Sequence, residues 1–207
     1  MNGTGDQLRR YGALAGPGIA EPRSKPVAWW GMALLIATEA ALFASLIAAY
    51  YYLRWFSDAG WPPSGVDPKL LRPILFTAAL VLSSGTMAIA QVGIRRGRQG
   101  LLKLGLVLTM LLALTFIGLQ AWDLAEKTNE FVPQTDAYGS IVYTLIGAHA
   151  AHVVAGTLIL AWVGMRALRG AYTAAGHVGI SVAALYWHFV VALAVIVFVV
   201  VVLTPYW

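Results

Sequence analysis

Four ionisable side chains stand inside long apolar stretches of this sequence: Glu39, His149, His152 and His188. A charged side chain at the centre of a bilayer costs about 2.5 kcal/mol or more, so such residues need a reason to be there. Each lies within three positions of the centre of its own apolar run, near residues 40, 151 and 191. At about 1.5 Å rise per residue, all four then fall within about 5 Å of one plane. His149 and His152 are three positions apart, about 60° around a helix, and share a face. Gly147, Ala151 and Ala155 recur every four positions beside them, with Gly156 next in line. Such a stripe of small residues is expected to let a neighbouring helix approach closely, with the histidines pointing into the bundle.

One carboxylate and three imidazoles support two chemistries. Glu and His are good metal ligands, and two histidines on facing helices can hold a haem. The same set also makes a buried hydrogen-bond network, with Glu39 bonded to His149 or His152. A di-metal bundle site needs several Glu and a Glu-x-x-His pair on one helix, whereas Glu39 is the one carboxylate in these runs. That favours the network, and a haem pair using His188 stays open. His177 falls in a loop and is expected to be solvated. Gln91 and Gln120 lie near span ends, where they can hydrogen-bond at the interface. Ser83, Ser84 and Thr86 can bond back to their own helix carbonyls. Tyr50, Tyr51 and Tyr52 read as interfacial anchors.

The elements that carry these residues follow from composition. Of the 207 residues, 59% are hydrophobic and 11% charged, and mean hydropathy is +0.73. A soluble domain carries about 25% charged residues, so an ordinary soluble enzyme and a disordered chain are both excluded. With no cysteine, disulfides, iron–sulfur clusters, thiolate zinc sites and cysteine nucleophiles are excluded too. There is no P-loop and no dinucleotide fingerprint.

A spanning helix needs about 20 mostly apolar residues. Five runs qualify: 28–53, 73–93, 104–122, 138–164 and 179–203. All nine prolines lie outside their interiors, with Pro73 at a helix start and Pro205 after the last helix. Nothing resembles the broken helices of transporters. The fold class is therefore all-α, a polytopic bundle of five transmembrane helices. Residues 1–27 read as a polar cytoplasmic tail without a cleavable signal, and 28–207 as the membrane domain. Phe189 to Ile196 offer no periodic polar face, so the fifth helix is expected to present a broad surface to lipid or to an apolar partner.

The 14 Lys and Arg residues divide 10 to 4 between alternate segments, with Arg9, Arg10, Arg23, Lys25, Arg95, Arg96, Arg98, Lys103, Arg166 and Arg169 on the richer side. The positive-inside rule places that side and the N-terminus in the cytoplasm, and the C-terminus outside. The net charge of +5 thus reflects topology, not nucleic-acid binding. Trp29, Trp30, Trp55, Trp61, Trp122, Trp162 and Trp207 sit near span ends, as an aromatic belt would.

At these residues the sequence resembles subunit III of the cytochrome c oxidase (haem–copper oxidase) family. Trp30-Gly31-Met32, Thr38-Glu39, Phe43 and Tyr50 to Arg54 resemble the family's W-G-M…[ST]-E…F…Y-x-x-R helix. Ser83-Ser84-Gly85 follows in the next helix, and Gln120 with Asp123 is similar to its Q-x-x-E pattern. Gly147-x-His149-x-x-His152-Val153-x-x-Gly156-Thr157 and Tyr186-Trp187-His188-Phe189-Val190 resemble G-x-H-x-x-H-V-x-x-G-T and Y-W-H-F-V. The order runs from about residue 29 to 207. Val191 stands where the family usually has Asp, Ala194 where it has Trp, and Asp123 where it has Glu. Longer members carry two extra N-terminal helices, so the chain resembles the short five-helix bacterial form.

The resemblance implies an accessory subunit without a redox centre of its own and without a metal site. Haem and copper would lie in partner subunits I and II, in a hetero-oligomer of the bacterial plasma membrane. It also implies bound phospholipid and a role in assembly and in sustained proton uptake during aerobic respiration. Within the family a quinol oxidase or a nitric-oxide-reductase-associated homologue is the neighbouring reading. Outside it stands a free-standing haem-binding or transport protein.

Overall fold

A computed structural model describes residues 25–57, 60–62, 70–130 and 137–204, without the side chains of 127–130. Most of the expected tail, residues 1–24, lies outside the described residues, as do Pro205 and Trp207. Five helices carry the described chain: α1 Val27–Trp55, α2 Leu71–Arg95, α3 Gln99–Glu130, α4 Ala137–Leu168 and α5 Val178–Phe198, which continues as a π-turn over Val199–Leu203. All five are long and apolar enough to cross a membrane.

Each expected span falls inside one of these helices. The largest difference is α3, which begins five residues earlier and extends eight residues further than the run 104–122. Apolarity marks the part of a helix that can sit in hydrocarbon, while helical hydrogen bonding continues into the polar flanks. One such flank is held by Arg72 at the start of α2, whose guanidinium lies 2.6 Å from Glu126 and 3.5 Å from Asp123 of α3. Pro73 occupies the first turn of α2, where its missing N–H forfeits no helical bond.

Two glycines end helices at the same face of the bundle. After α2, Gly97 has φ +69°, and after α4, Gly170 has φ +76°. The amide of Arg98 donates to the carbonyl of Gly93 (2.8 Å), and that of Ala171 to the carbonyl of Arg166 (3.0 Å). These are Schellman closures, which need a residue at ease in the left-handed region.

The helix α5 lies in the middle. It packs on α1, α2 and α4, while α3 bridges α2 and α4. Val190, Val191, Leu193, Ala194 and Val197 are buried, so most of the surface expected to meet lipid or an apolar partner meets apolar neighbours within the bundle. A helix that is apolar all round is equally suited to lipid and to the centre of a bundle, and hydropathy does not distinguish the two. The outermost helix is α1, with only Phe43 and Tyr50 buried. One core cluster joins α2, α3, α4 and α5 around Leu80, Met87, Leu160 and Trp187. A second joins α1, α4 and α5 around Phe43, Tyr50, Leu145 and Leu193.

Candidate functional site: two polar clusters between helices

The four ionisable residues separate into distinct settings. Glu39 on α1 meets His152 on α4, with Oε2 2.7 Å from Nε2. His152 Nδ1 lies 2.7 Å from the carbonyl oxygen of Ala148 one turn earlier. A carbonyl only accepts, so Nδ1 carries a hydrogen and donates. The Nε2–Oε2 contact then holds one shared proton: a protonated Glu39 donates to a neutral imidazole, or an imidazolium donates to a carboxylate. Phe43 closes the site with its ring edge-on to His152, centroids 5.2 Å apart. The Glu39 side chain keeps 26% of its exposure and that of His152 16%, so the pair lies at the margin of the bundle.

His149 does not join this pair. It is buried beside Phe116 of α3, with ring centroids 6.1 Å apart, and neither ring nitrogen has a hydrogen-bond partner among the described residues. The 60° between the two histidines is enough to send one toward α1 and the other toward α3.

His188 on α5 belongs to a second cluster, with α2. Its Nε2 donates to Oε1 of Gln91 at 3.4 Å, and Nδ1 then accepts from the Ser84 hydroxyl at 2.7 Å. The adjacent Trp187 donates from Nε1 to the Ser83 hydroxyl at 3.1 Å, and Ser83 donates to the carbonyl of Leu80. Two consecutive α2 serines therefore receive two consecutive α5 side chains. Ser83 and Thr86 do bond back to their own helix, whereas Ser84 points across to His188.

The close helix approach falls at Gly156. A Cβ there would lie 3.0 Å from the Trp187 ring, while one at Gly147 would meet nothing within 4 Å. Ala151 and Ala155 are exposed, so their stripe faces away from the bundle. A tighter contact lies at Gly105 of α3, where a Cβ would lie 2.7 Å from the Ala90 amide nitrogen and the Thr86 carbonyl of α2. The sequence reading missed it; its signal is a small residue, Gly105, matched by Ala90 in an otherwise bulky pair of helices.

Other side chains also differ from expectation. His177 is not a free loop residue: it caps the start of α5, half-buried, with Nδ1 enclosed and unpartnered among the described residues. Tyr50 is fully buried against Trp61 and is no interfacial anchor, whereas Tyr51 and Tyr52 are exposed. Among the described residues no group of three or more His, Asp or Glu is placed to hold a metal ion.

Fold and clusters define a class: a multi-pass, all-helical membrane protein whose intramembrane polar residues join helices. The pattern of the family described as "Cytochrome c oxidase subunit III" matches residues 23–207, and the chain belongs to that family. It is 35% identical over 189 residues to "Cytochrome c oxidase subunit 3" of Bacillus subtilis (strain 168), covering 87% of this chain and 86% of that one. The protein of the same name from Thermostichus vulcanus is 30% identical, with 81% and 83% covered. That of Mus musculus is 34% identical over 78% of this chain but only 63% of its own length. The chain thus spans less than two thirds of its vertebrate relatives.

Proposed function

We propose that this chain is the accessory subunit III of an aerobic haem–copper terminal oxidase, seated in the plasma membrane beside subunits I and II. The observation that carries the reading is the family match over residues 23–207, together with a bacterial relative of nearly equal length. In this reading the redox chemistry belongs to the partner subunits, and this chain supports their assembly, holds phospholipid and sustains proton uptake. Its polar clusters are structural: Glu39–His152 ties the outermost helix to the bundle, and Ser84–His188–Gln91 ties α2 to the central α5. Buried polar groups are usually found satisfying one another, which fits this role.

The test is affinity purification of the tagged chain in mild detergent, with identification of co-purifying chains and a visible spectrum. Haem is expected in the complex, in the partner chains. Stoichiometric haem, copper or iron on this chain after separation from its partners would overturn the accessory reading.

A further inference from the structure

A cavity of about 470 Å³ opens where α1 begins, α2 ends and α5 begins. Lys25 and Arg95 stand at its mouth, both exposed, and neither has an ion-pair partner among the described residues. His177, just before α5, adds an enclosed Nδ1 without a partner among the described residues. The first turn of α5 carries no acidic residue and no side-chain cap, so its amides and the positive end of the helix dipole stand at the same opening. Further in, Ser181 follows His177 by one turn on α5, and Gln91 precedes Arg95 by one turn on α2. Gln91 accepts from His188 through Oε1 at 3.4 Å, which leaves its amide nitrogen to donate. Among the described residues no carboxylate lines the cavity. The fixed charges on this wall are therefore all of one sign, with hydrogen-bond donors behind them.

We propose that this cavity is a hydrated site for a small soluble oxyanion of the phosphate or phosphate-ester class, held by Lys25 and Arg95 at the mouth and by Ser181 and Gln91 further in. A guanidinium, an ammonium and an uncapped helix start are the groups that recognise phosphate oxygens. The polar inner wall favours a soluble ligand. Hydrocarbon laid along Ser181 and Gln91 would leave their polar groups without hydrogen bonds, which is costly, whereas water and an oxyanion satisfy them. The site is formed by this chain alone, so it stands independently of the accessory-subunit reading.

The chain has no cysteine, so a single introduced thiol reports on one place. The test puts Val182→Cys, on the cavity wall, into the complex as purified, held in nanodiscs of phosphatidylcholine. Two water-soluble reagents are compared, anionic sulfonatoethyl and cationic trimethylammonioethyl methanethiosulfonate. Adducts on this chain are followed by mass spectrometry, and each rate is corrected for reaction with a free thiol. Val182→Cys should be labelled, about tenfold faster by the anionic reagent at low salt, because a cleft lined by one sign of charge concentrates counter-ions. Adding Lys25→Gln and Arg95→Gln should abolish that preference, and Arg95→Lys alone should keep it. Millimolar pyrophosphate should slow the labelling, and chloride at equal ionic strength should not. If Ala174→Cys in the exposed loop before α5 is labelled while Val182→Cys is not, the cavity is filled by lipid or a partner chain and the proposal fails. Equal corrected rates for the two reagents would overturn the anion preference, and labelling indifferent to pyrophosphate would overturn the oxyanion site. If the triple variant fails to assemble, Arg95→Gln against Arg95→Lys decides: an anionic preference unchanged in both would overturn the role of charge at the mouth, and its loss in Arg95→Gln alone would support it.

Discussion

The contact between Glu39 and His152 contains a single proton, so a side chain that can donate one hydrogen to Nε2 should replace the carboxyl. Glu39→Gln does so through its amide. It is expected to leave assembly, thermal stability and the initial oxygen-consumption rate of the complex nearly unchanged. Glu39→Ala leaves Nε2 unpartnered and is expected to cost about 1–3 kcal/mol, read as a lower unfolding temperature in detergent and faster loss of activity over many turnovers. Loss of the initial rate in a fully assembled Glu39→Gln complex would make Glu39 a required proton carrier and defeat the structural role. Gly156 and Ala151 make a second contrast. Gly156→Val drives a side chain into the Trp187 ring and should cost about 1–3 kcal/mol; Ala151→Val, on an exposed face, should stay within about 0.5 kcal/mol in the isolated chain. These residues show how far the site could be read in advance. Residue types and depth identified Glu39 and the histidines, since an ionisable group in an apolar run is visible in one dimension. The partners were not visible: His152 and not His149 meets Glu39, and His188 pairs with Ser84 and Gln91, because a small rotation about the helix axis separates alternatives that spacing treats as equal.

The hairpin of α2 and α3 is the most closely packed pair of helices. Gly105 meets α2 backbone directly, and Thr109 bonds both to the Thr86 hydroxyl (2.8 Å) and to its own helix at the Gly105 carbonyl (2.8 Å). Gly105→Leu cannot be absorbed by moving a flexible side chain, since the obstacle is main chain. It is expected to push the two helices apart and abolish stable accumulation of the protein, measured by the yield of monodisperse protein after detergent extraction. Gly118→Leu, at a position where a Cβ meets nothing within 4 Å, should leave the yield intact. Equal yields from both would show that the α2–α3 approach is not a constraint. The existence and apolar centre of each span were legible because they depend on local apolarity, whereas the helix ends, α3's most of all, run on into polar flanks. The central place of α5 was not, because lipid and protein interior present the same chemistry to an apolar side chain.

Topology and assembly belong to the complete bundle. The described cations Lys25, Arg95, Arg96, Arg98, Lys103, Arg166 and Arg169 lie at one set of helix ends, Arg54 and Arg72 at the other. With five spans this asymmetry predicts a cytoplasmic N-terminus and an external C-terminus. A C-terminal alkaline phosphatase fusion should be active, and an N-terminal tag should resist external protease. An inactive fusion at comparable expression would argue for inverted insertion. The exposed Ala151 and Ala155 and the partly exposed Glu39–His152 pair lie at a margin of the bundle.

Membrane residence, the five spans, the charge bias and the family motifs were all legible in the amino-acid order alone, because each is a sum over neighbours along the chain. Which helix stands at the centre and which histidine receives the carboxylate were settled by folding. Glu39 and His152 are 113 positions apart, and Ser84 and His188 are 104 apart. Contacts across such distances depend on the rotation and close approach of whole helices, which are set by close contacts at glycines such as Gly105 and Gly156 and leave only a faint trace in any one segment.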